Sequence, residues 1–171
     1  MLPVGIHRFG FKTANYYLDL KTLAEARGVD HHKFYDGLGQ HKMSVLPPDE
    51  DIVTLGASAA RIALNDVDKN DISLLLFATE SGIDQSKSAG IFVHQLLGLP
   101  KRCRVLELKQ ACYSATAGIH LALPYIQQNP DKKVLLIASD EARYGLNTTG
   151  ESSQGVGAVA MVLSANPDIL T

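Results

Sequence analysis

The sequence contains no tryptophan, and Phe and Tyr together make up only 6% of it, so its core must be built from aliphatic side chains. There are two cysteines, Cys103 and Cys112. Two thiols at this separation form neither a disulfide framework nor a zinc pair, which excludes disulfide-stapled and zinc-ribbon classes. Excess charge is lacking too: 16 Lys+Arg against 18 Asp+Glu leave a formal net charge of -2. That balance gives no electrostatic case for a nucleic acid or an acidic membrane surface as partner. No apolar run approaches the roughly 20 residues of a transmembrane helix. Met1-Leu2-Pro3-Val4-Gly5 lacks the charged and long apolar regions of a secretory signal, so a cytoplasmic chain is expected. No linker, low-complexity stretch or internal repeat interrupts the chain. What remains is 171 residues, 46% hydrophobic and 20% charged, the makeup of one globular domain.

Val4 to Phe11 alternates in part and predicts a strand. Asp19 to Arg27 predicts a helix carrying Leu20, Leu23, Ala24 and Ala26, with Gly28 as its stop. Asp30 is placed to cap a short helix through Leu38. Leu46-Pro47-Pro48 is a turn, and Asp49-Glu50-Asp51 suits a helix N-terminus. The next helix sets Ile52, Leu55, Ala59 and Ile62 on one face. From Ile72 the pattern changes. Leu74 to Ala78 and Val134 to Ala138 are continuous apolar runs, the signature of parallel strands covered on both faces. Between them lie a helix with the stripe Ala89, Phe92, Val93, Leu96 and Leu97, a strand from Arg104 to Leu108, and a helix from Cys112 to Ile126. Val156 to Leu163 predicts a last strand, reached through a loop and free to run antiparallel. Strands alternating with helices predict an α/β layered fold.

Ligands of open α/β sheets bind beyond the carboxyl ends of the strands. That rule selects Thr79-Glu80-Ser81-Gly82, Lys109-Gln110-Ala111-Cys112 and the stretch from Ser139 to Tyr144. Cys112 falls where a strand gives way to a helix, whose N-terminus favours a thiolate. Ser114, Ala115, Thr116, Ala117 and Gly118 after it are small, as in a closely packed central helix. The plain alternative for a free cysteine is burial as a small hydrophobe, which is the expectation for Cys103. Glu80 follows five apolar residues, so partial desolvation would favour its protonated form and suit it to proton transfer. Its plain alternative is a loop carboxylate or helix cap. Asp84 and Asp140 read as hydrogen-bonding residues near such a site. Of the six histidines, His31-His32 is a weak metal hint, His94 lies off its helix's apolar stripe and is expected in solvent, and His120 is too far along to partner Cys112. No metal site is expected. Gly155-Val156-Gly157-Ala158-Val159-Ala160 matches a loose dinucleotide fingerprint, but it leads into a strand rather than out of one, so that reading fails.

Thr79 to Ser88 and Lys109 to Gly118 resemble bacterial-type hydroxymethylglutaryl-CoA (HMG-CoA) synthase, of the thiolase-like superfamily. Gly39 to Ser44, Ala138 to Gly145 and Gln154 to Ala160 agree with it in order along the chain. The resemblance implies a thiolase-like α/β fold: one βαβαβαββ half, with a mostly parallel mixed sheet covered by helices. It makes residues 1–171 the N-terminal half of such a subunit. A C-terminal half would carry the catalytic histidine, and the subunits would form homodimers. It implies condensation of acetyl-CoA with acetoacetyl-CoA to HMG-CoA, in the mevalonate route to isoprenoids, with no cofactor besides these thioester substrates. Cys112 would be the acyl-accepting nucleophile and Glu80 the general acid/base. Tyr144 would lie near the acetoacetyl group, and Asn147 and Ser153 on the acyl-pantetheine loop. Asp30 and His31 would lie near the CoA nucleotide, and Asp84 and Asp140 would support the site.

Two rivals stay open on sequence. Another condensing enzyme, a ketoacyl synthase or degradative thiolase, shares the cysteine at the helix start but not Thr-Glu-Ser at this strand end. A non-catalytic half would only bind CoA or a partner. Pro124 departs from the pattern: it removes the N–H that would bond to His120 and predicts a kink or early end of the Cys112 helix.

Overall fold

Alternation along the apolar strands sets the architecture. A computed structural model of the chain describes residues 2–171. Strand β4 (Ile72–Ala78) lies between β5 (Arg104–Leu108) and β6 (Lys133–Ala142), parallel to both. Strand β7 (Gly155–Ala165) is antiparallel to β6, and β1 (Val4–Thr13) is antiparallel to β7. The sheet order is therefore β1-β7-β6-β4-β5, with only β7 reversed. Leu75, Phe77, Leu135 and Ile137 point to one face, where α3 (Ile52–Ala63) and α4 (Ala89–Leu97) pack; Leu74, Leu76, Val134 and Leu136 point to the other, under α5 (Ser114–Gln128). Coverage on both faces is why these strands read as unbroken apolar runs. Setting aside the segment between β1 and α3, the order is the expected βαβαβαββ.

That segment holds α1 (Leu20–Arg27), α2 (His32–Tyr35) and a hairpin of β2 (Tyr16–Asp19) with β3 (Lys42–Val45). It has a small core of its own: Leu20, Leu23, Ala24, Phe34 and Met43. Asp19 caps α1 by accepting the N–H of Lys21, and Gly28 closes it at φ 64°. Asp51 and Thr54 form a reciprocal capping box at α3.

Five sequence expectations change. Ile62 is exposed because the last turn of α3 stands over Gly10 of the edge strand β1. Phe92 and Leu96 are exposed as well, and the buried stripe of α4 narrows to Ala89, Gly90, Val93 and Leu97, since β5 is a sheet edge. Helix α5 runs through Pro124 to Gln128 instead of ending early. One lost hydrogen bond is outweighed because Ile126 is fully buried beyond it and the Tyr125 hydroxyl donates to Ser73 Oγ. Nor is α5 buried all round: Ser114, Gly118, Ala122 and Ile126 face the sheet, whereas Thr116, His120 and Leu121 face solvent. His94 is half-buried with Nε2 3.1 Å from the Pro100 carbonyl, not free in solvent.

Candidate active site

The carboxyl ends of β4, β5 and β6 converge on one patch. Cys112 is exposed in the turn between β5 and α5, and its Sγ–H donates to Glu80 Oε1 at 3.7 Å. The helix starts two residues later than the sequence pattern indicates, so Cys112 lies in the lead-in turn rather than in the first helical turn. That turn is tightly built. Ala111 takes a left-handed φ of 47°. Buried Ser114 accepts the Gln110 N–H at 2.6 Å and donates to the Ala111 carbonyl at 3.0 Å. A non-glycine residue at positive φ is uncommon and persists only where its surroundings hold it.

Glu80 sits on the turn after β4, and Asp140 at the end of β6 fixes that turn. Asp140 Oδ1 accepts the backbone N–H of Glu80 at 2.6 Å and of Ser81 at 3.0 Å, and the hydroxyls of Thr79 at 2.9 Å and Ser81 at 2.7 Å. Ser81 Oγ in turn accepts the Glu141 N–H at 2.9 Å. The Glu80 side chain is exposed, so the desolvation expected of it is not supplied by this chain, because the strand end opens to solvent. A cavity of about 500 Å³ borders it, lined by Glu80, Ser81, Asp140, Glu141, Ala142, Arg143 and Tyr144. Tyr144 is thus brought to the same cavity as Glu80, its N–H held by Gln154 Oε1.

Asp84 stands apart from this cavity. It accepts the N–H groups of Ser86 and Lys87, which hold its carboxyl below the usual carboxylate range and shape its own loop. Asn147 lines a second cavity of about 310 Å³, whose walls are Leu23, Arg27, Val29, Lys33 and Phe34 on one side and Asn147, Thr148, Thr149, Glu151 and Ser152 on the other. Ser153 follows that wall and donates to the Gly150 carbonyl. Asp30 and His31 lie in sequence between the wall residues Val29 and Lys33. Ligand atoms of Asp30, His31 and His32 fall within 4.8 Å of one another, the one such group of three among the described residues, and His32 Nδ1 also pairs with Asp36 at 2.6 Å. Cys103 is buried, and burial pushes its thiol up to about 11.

Sequence reasoning gave Thr79, Ser81 and Ser114 no part in shaping the two turns, and it missed the ion pair of Arg27 with Glu151. The hydroxyls adjoin residues already singled out and were findable there. The ion pair joins residues 124 apart and leaves no local signal.

Cys112 and Glu80 set a thiol and a carboxylate side by side at one strand-end patch, a pairing of the kind nucleophilic catalysis uses. The family model described as hydroxymethylglutaryl-coenzyme A synthase N terminal matches residues 2–168. Hydroxymethylglutaryl-CoA synthase of Enterococcus faecalis is 47% identical over 169 residues, covering 99% of this chain and 44% of the relative. A polyketide-biosynthesis 3-hydroxy-3-methylglutaryl-ACP synthase of Bacillus subtilis is 39% identical, again over 99% of this chain and 44% of the relative. A crystal structure of an HMG-CoA synthase complexed with CoA superposes with a TM-score of 0.94 at 45% identity, covering 98% of this chain and 43% of that one. The chain spans less than half the length of these relatives. No helix among the described residues is long and apolar enough to cross a membrane. Matched over nearly its whole length, the chain belongs to the hydroxymethylglutaryl-coenzyme A synthase family, of which it corresponds to the N-terminal part.

Proposed function

We propose that this chain is the acyl-accepting half of an HMG-CoA synthase. The observation that carries the reading is the 3.7 Å approach of Cys112 Sγ to Glu80 Oε1. The Cys112 thiolate attacks the carbonyl carbon of acetyl-CoA. An S–C bond forms, the bond to the CoA sulfur breaks, and the CoA thiolate takes up the proton that Cys112 gave up. The thioester acidifies the acetyl methyl. Glu80, held by Asp140 through its backbone, removes a methyl proton, and the carbanion attacks the ketone carbon of acetoacetyl-CoA. The ketone oxygen is protonated. Water then cleaves the Cys112 thioester, releasing HMG-CoA and restoring the thiol. Besides water, the two thioesters are the only small molecules required, and the product feeds isoprenoid synthesis.

Condensation in this account also needs a histidine from a C-terminal half. Uncovered apolar surface supports such a neighbour. Phe9, Phe11 and Val159 are exposed on the sheet face that α5 covers only in part, and Tyr113 and Leu121 are exposed on α5 and its lead-in. A patch of this kind drives association. We place the assembled subunit in a cytoplasmic homodimer.

The test is mass spectrometry of the Cys112 peptide after mixing with acetyl-CoA. An acetyl adduct is expected; its absence from the assembled enzyme sinks the reading in favour of a half that only binds. Glu80→Ala in the assembled enzyme should leave that adduct intact, because acetylation needs no α-proton removal. Condensation should fall roughly 10²–10⁴-fold, the usual share of a general acid/base.

A further inference from the structure

The ion pair of Arg27 with Glu151 takes no part in the chemistry above. We propose that it is a clamp that sets the second cavity and thereby positions the acyl-CoA, making Arg27 and Glu151 positioning residues for thioester binding. The proposal rests on the reading of this chain as a CoA-thioester-using half.

The two walls of that cavity belong to separately built pieces. One is the α1–α2 segment, folded on its own small core. The other is the loop from Arg143 to Ser153, which carries Tyr144, Asn147 and Ser153. Among the described residues, no other hydrogen bond joins residues 20–41 to that loop. Arg27 donates from Nε to Glu151 Oε2 at 2.9 Å and from Nη2 to Glu151 Oε1 at 2.6 Å. Two parallel bonds from a planar guanidinium fix direction as well as distance.

Each partner is itself anchored. Arg27 is the last residue of α1, immediately before the left-handed Gly28. The Glu151 side chain is 6% exposed, and its Oε2 also accepts the Asn147 N–H at 3.0 Å. That bond holds Asn147 at a left-handed φ of 59°. One carboxylate therefore shapes the backbone of the loop and ties it to α1. Arg27 holds the Glu151 carboxyl below the usual range, so the clamp is charged at neutral pH. Cys112 and Glu80 hang instead from the Ser114 and Asp140 networks, which share no residue with the clamp. Breaking the clamp should change where the thioester lies and leave the reacting groups in place.

The test uses the full-length enzyme that contains this chain, as wild type, Arg27→Lys, Arg27→Met, Glu151→Gln and the double variant Arg27→Met/Glu151→Gln. Three quantities are read for each: the acetyl-CoA concentration for half-maximal Cys112 acetylation, the rate at saturation, and the rate of Cys112 alkylation by iodoacetamide. Half-saturation should rise at least about tenfold in Glu151→Gln and Arg27→Met, and less in Arg27→Lys, which keeps the charge but not the fork. The saturating rate and the alkylation rate should not change. The double variant should be no worse than the singles, since the pair acts as a unit. An unchanged half-saturation in folded variants overturns the proposal. So does a parallel loss of all three quantities, which marks general disruption. Arg27→Lys carries the comparison if the bolder variants fail to fold. A wild type that is never acetylated overturns the functional reading instead, and the clamp is then judged by calorimetry with CoA: equal affinity in wild type and variants, or none in either, overturns it.

Discussion

Alkylation of the two thiols tests the proposed nucleophile most directly. Cys103 lies immediately before β5 with 7% of its surface exposed, and burial pushes its thiol from the ordinary 9.0 up to about 11. Two units leave about 100-fold less thiolate at neutral pH. The more basic thiolate is intrinsically the better nucleophile and regains about tenfold, given a Brønsted slope of about 0.4–0.5. Acid–base chemistry alone thus slows Cys103 about tenfold against an ordinary thiol. Access slows it further, because iodoacetamide reaches a buried sulfur only through local opening. Cys112 is exposed and needs no opening. The folded chain treated with iodoacetamide at pH 7.5 should therefore carry its label on Cys112 at least about tenfold faster than on Cys103, by timed quenching and peptide mass spectrometry. In denaturant the two should label alike. Raising the pH toward 11 should narrow the gap in the folded state, as Cys103 ionises. Equal labelling at neutral pH in the folded chain would refute the argument, since it would mean that burial does not protect Cys103 or that the Cys112 turn is not open.

Two other perturbations probe the frame that holds the site. A Cβ on Gly118 would stand 2.6 Å from Leu136 Cδ1 and 3.2 Å from Leu108 Cδ1, and Leu136 is fully buried. Gly118→Ala gains about 1 kcal/mol of helix propensity but incurs about 1–3 kcal/mol of overpacking, so a net loss near 1 kcal/mol is expected. The melting temperature should fall by about 2–4 °C, and a rise would show that Leu136 rotates away freely. His7 has a buried Nδ1 without a hydrogen-bond partner among the described residues, and burial, aided by Arg8, holds its ring below the usual 6.5 against the opposing pull of Asp168. The folded ring resists protonation, so its contribution to stability is present above pH 6.5 and is lost as the pH falls from 6.5 through its lowered value. Urea midpoints should drop over that window in the wild type and flatten in His7→Gln; an unchanged slope would contradict the assignment.

The sheet was legible because burial on two faces writes itself as uninterrupted aliphatic runs, and Leu74 to Ala78 and Val134 to Ala138 admit few other readings. Cys112 and Glu80 were singled out for a related reason: strand ends in such sheets are where side chains meet, and the fold does bring the two together. The β2–β3 hairpin was not. Its strands are four residues each and are separated by two helices, so neither turn chemistry nor alternation announces their pairing. Ile62, Phe92 and Leu96 were misplaced because helical periodicity says which residues share a face but not how far the neighbouring sheet extends beneath it. Asp140 was recognised as a hydrogen-bonding residue, but its four donors come from residues 79–81, some sixty positions away, and only the parallel register of β4 with β6 brings them into reach.

The place of β1 has a consequence for how the chain is made. Among the described residues its only strand neighbour in the sheet is β7, with Val4 opposite Ala165 and Thr13 opposite Gly157, and Ile6 also bridges Leu170. During synthesis at about 5–20 residues per second, the first strand must wait roughly 8–30 seconds for its partner to be translated. Until then Phe9 and Phe11 lie on a ribbon with two open edges, while β4, β5 and β6 can already pair among themselves. Pairing β1 with β7 also closes the largest loop in this sheet, the slow kind of step in folds of high contact order. The nascent polypeptide thus passes through a stage in which its centre is built and its first strand is adhesive, and that stage is where a chaperone has the most to protect.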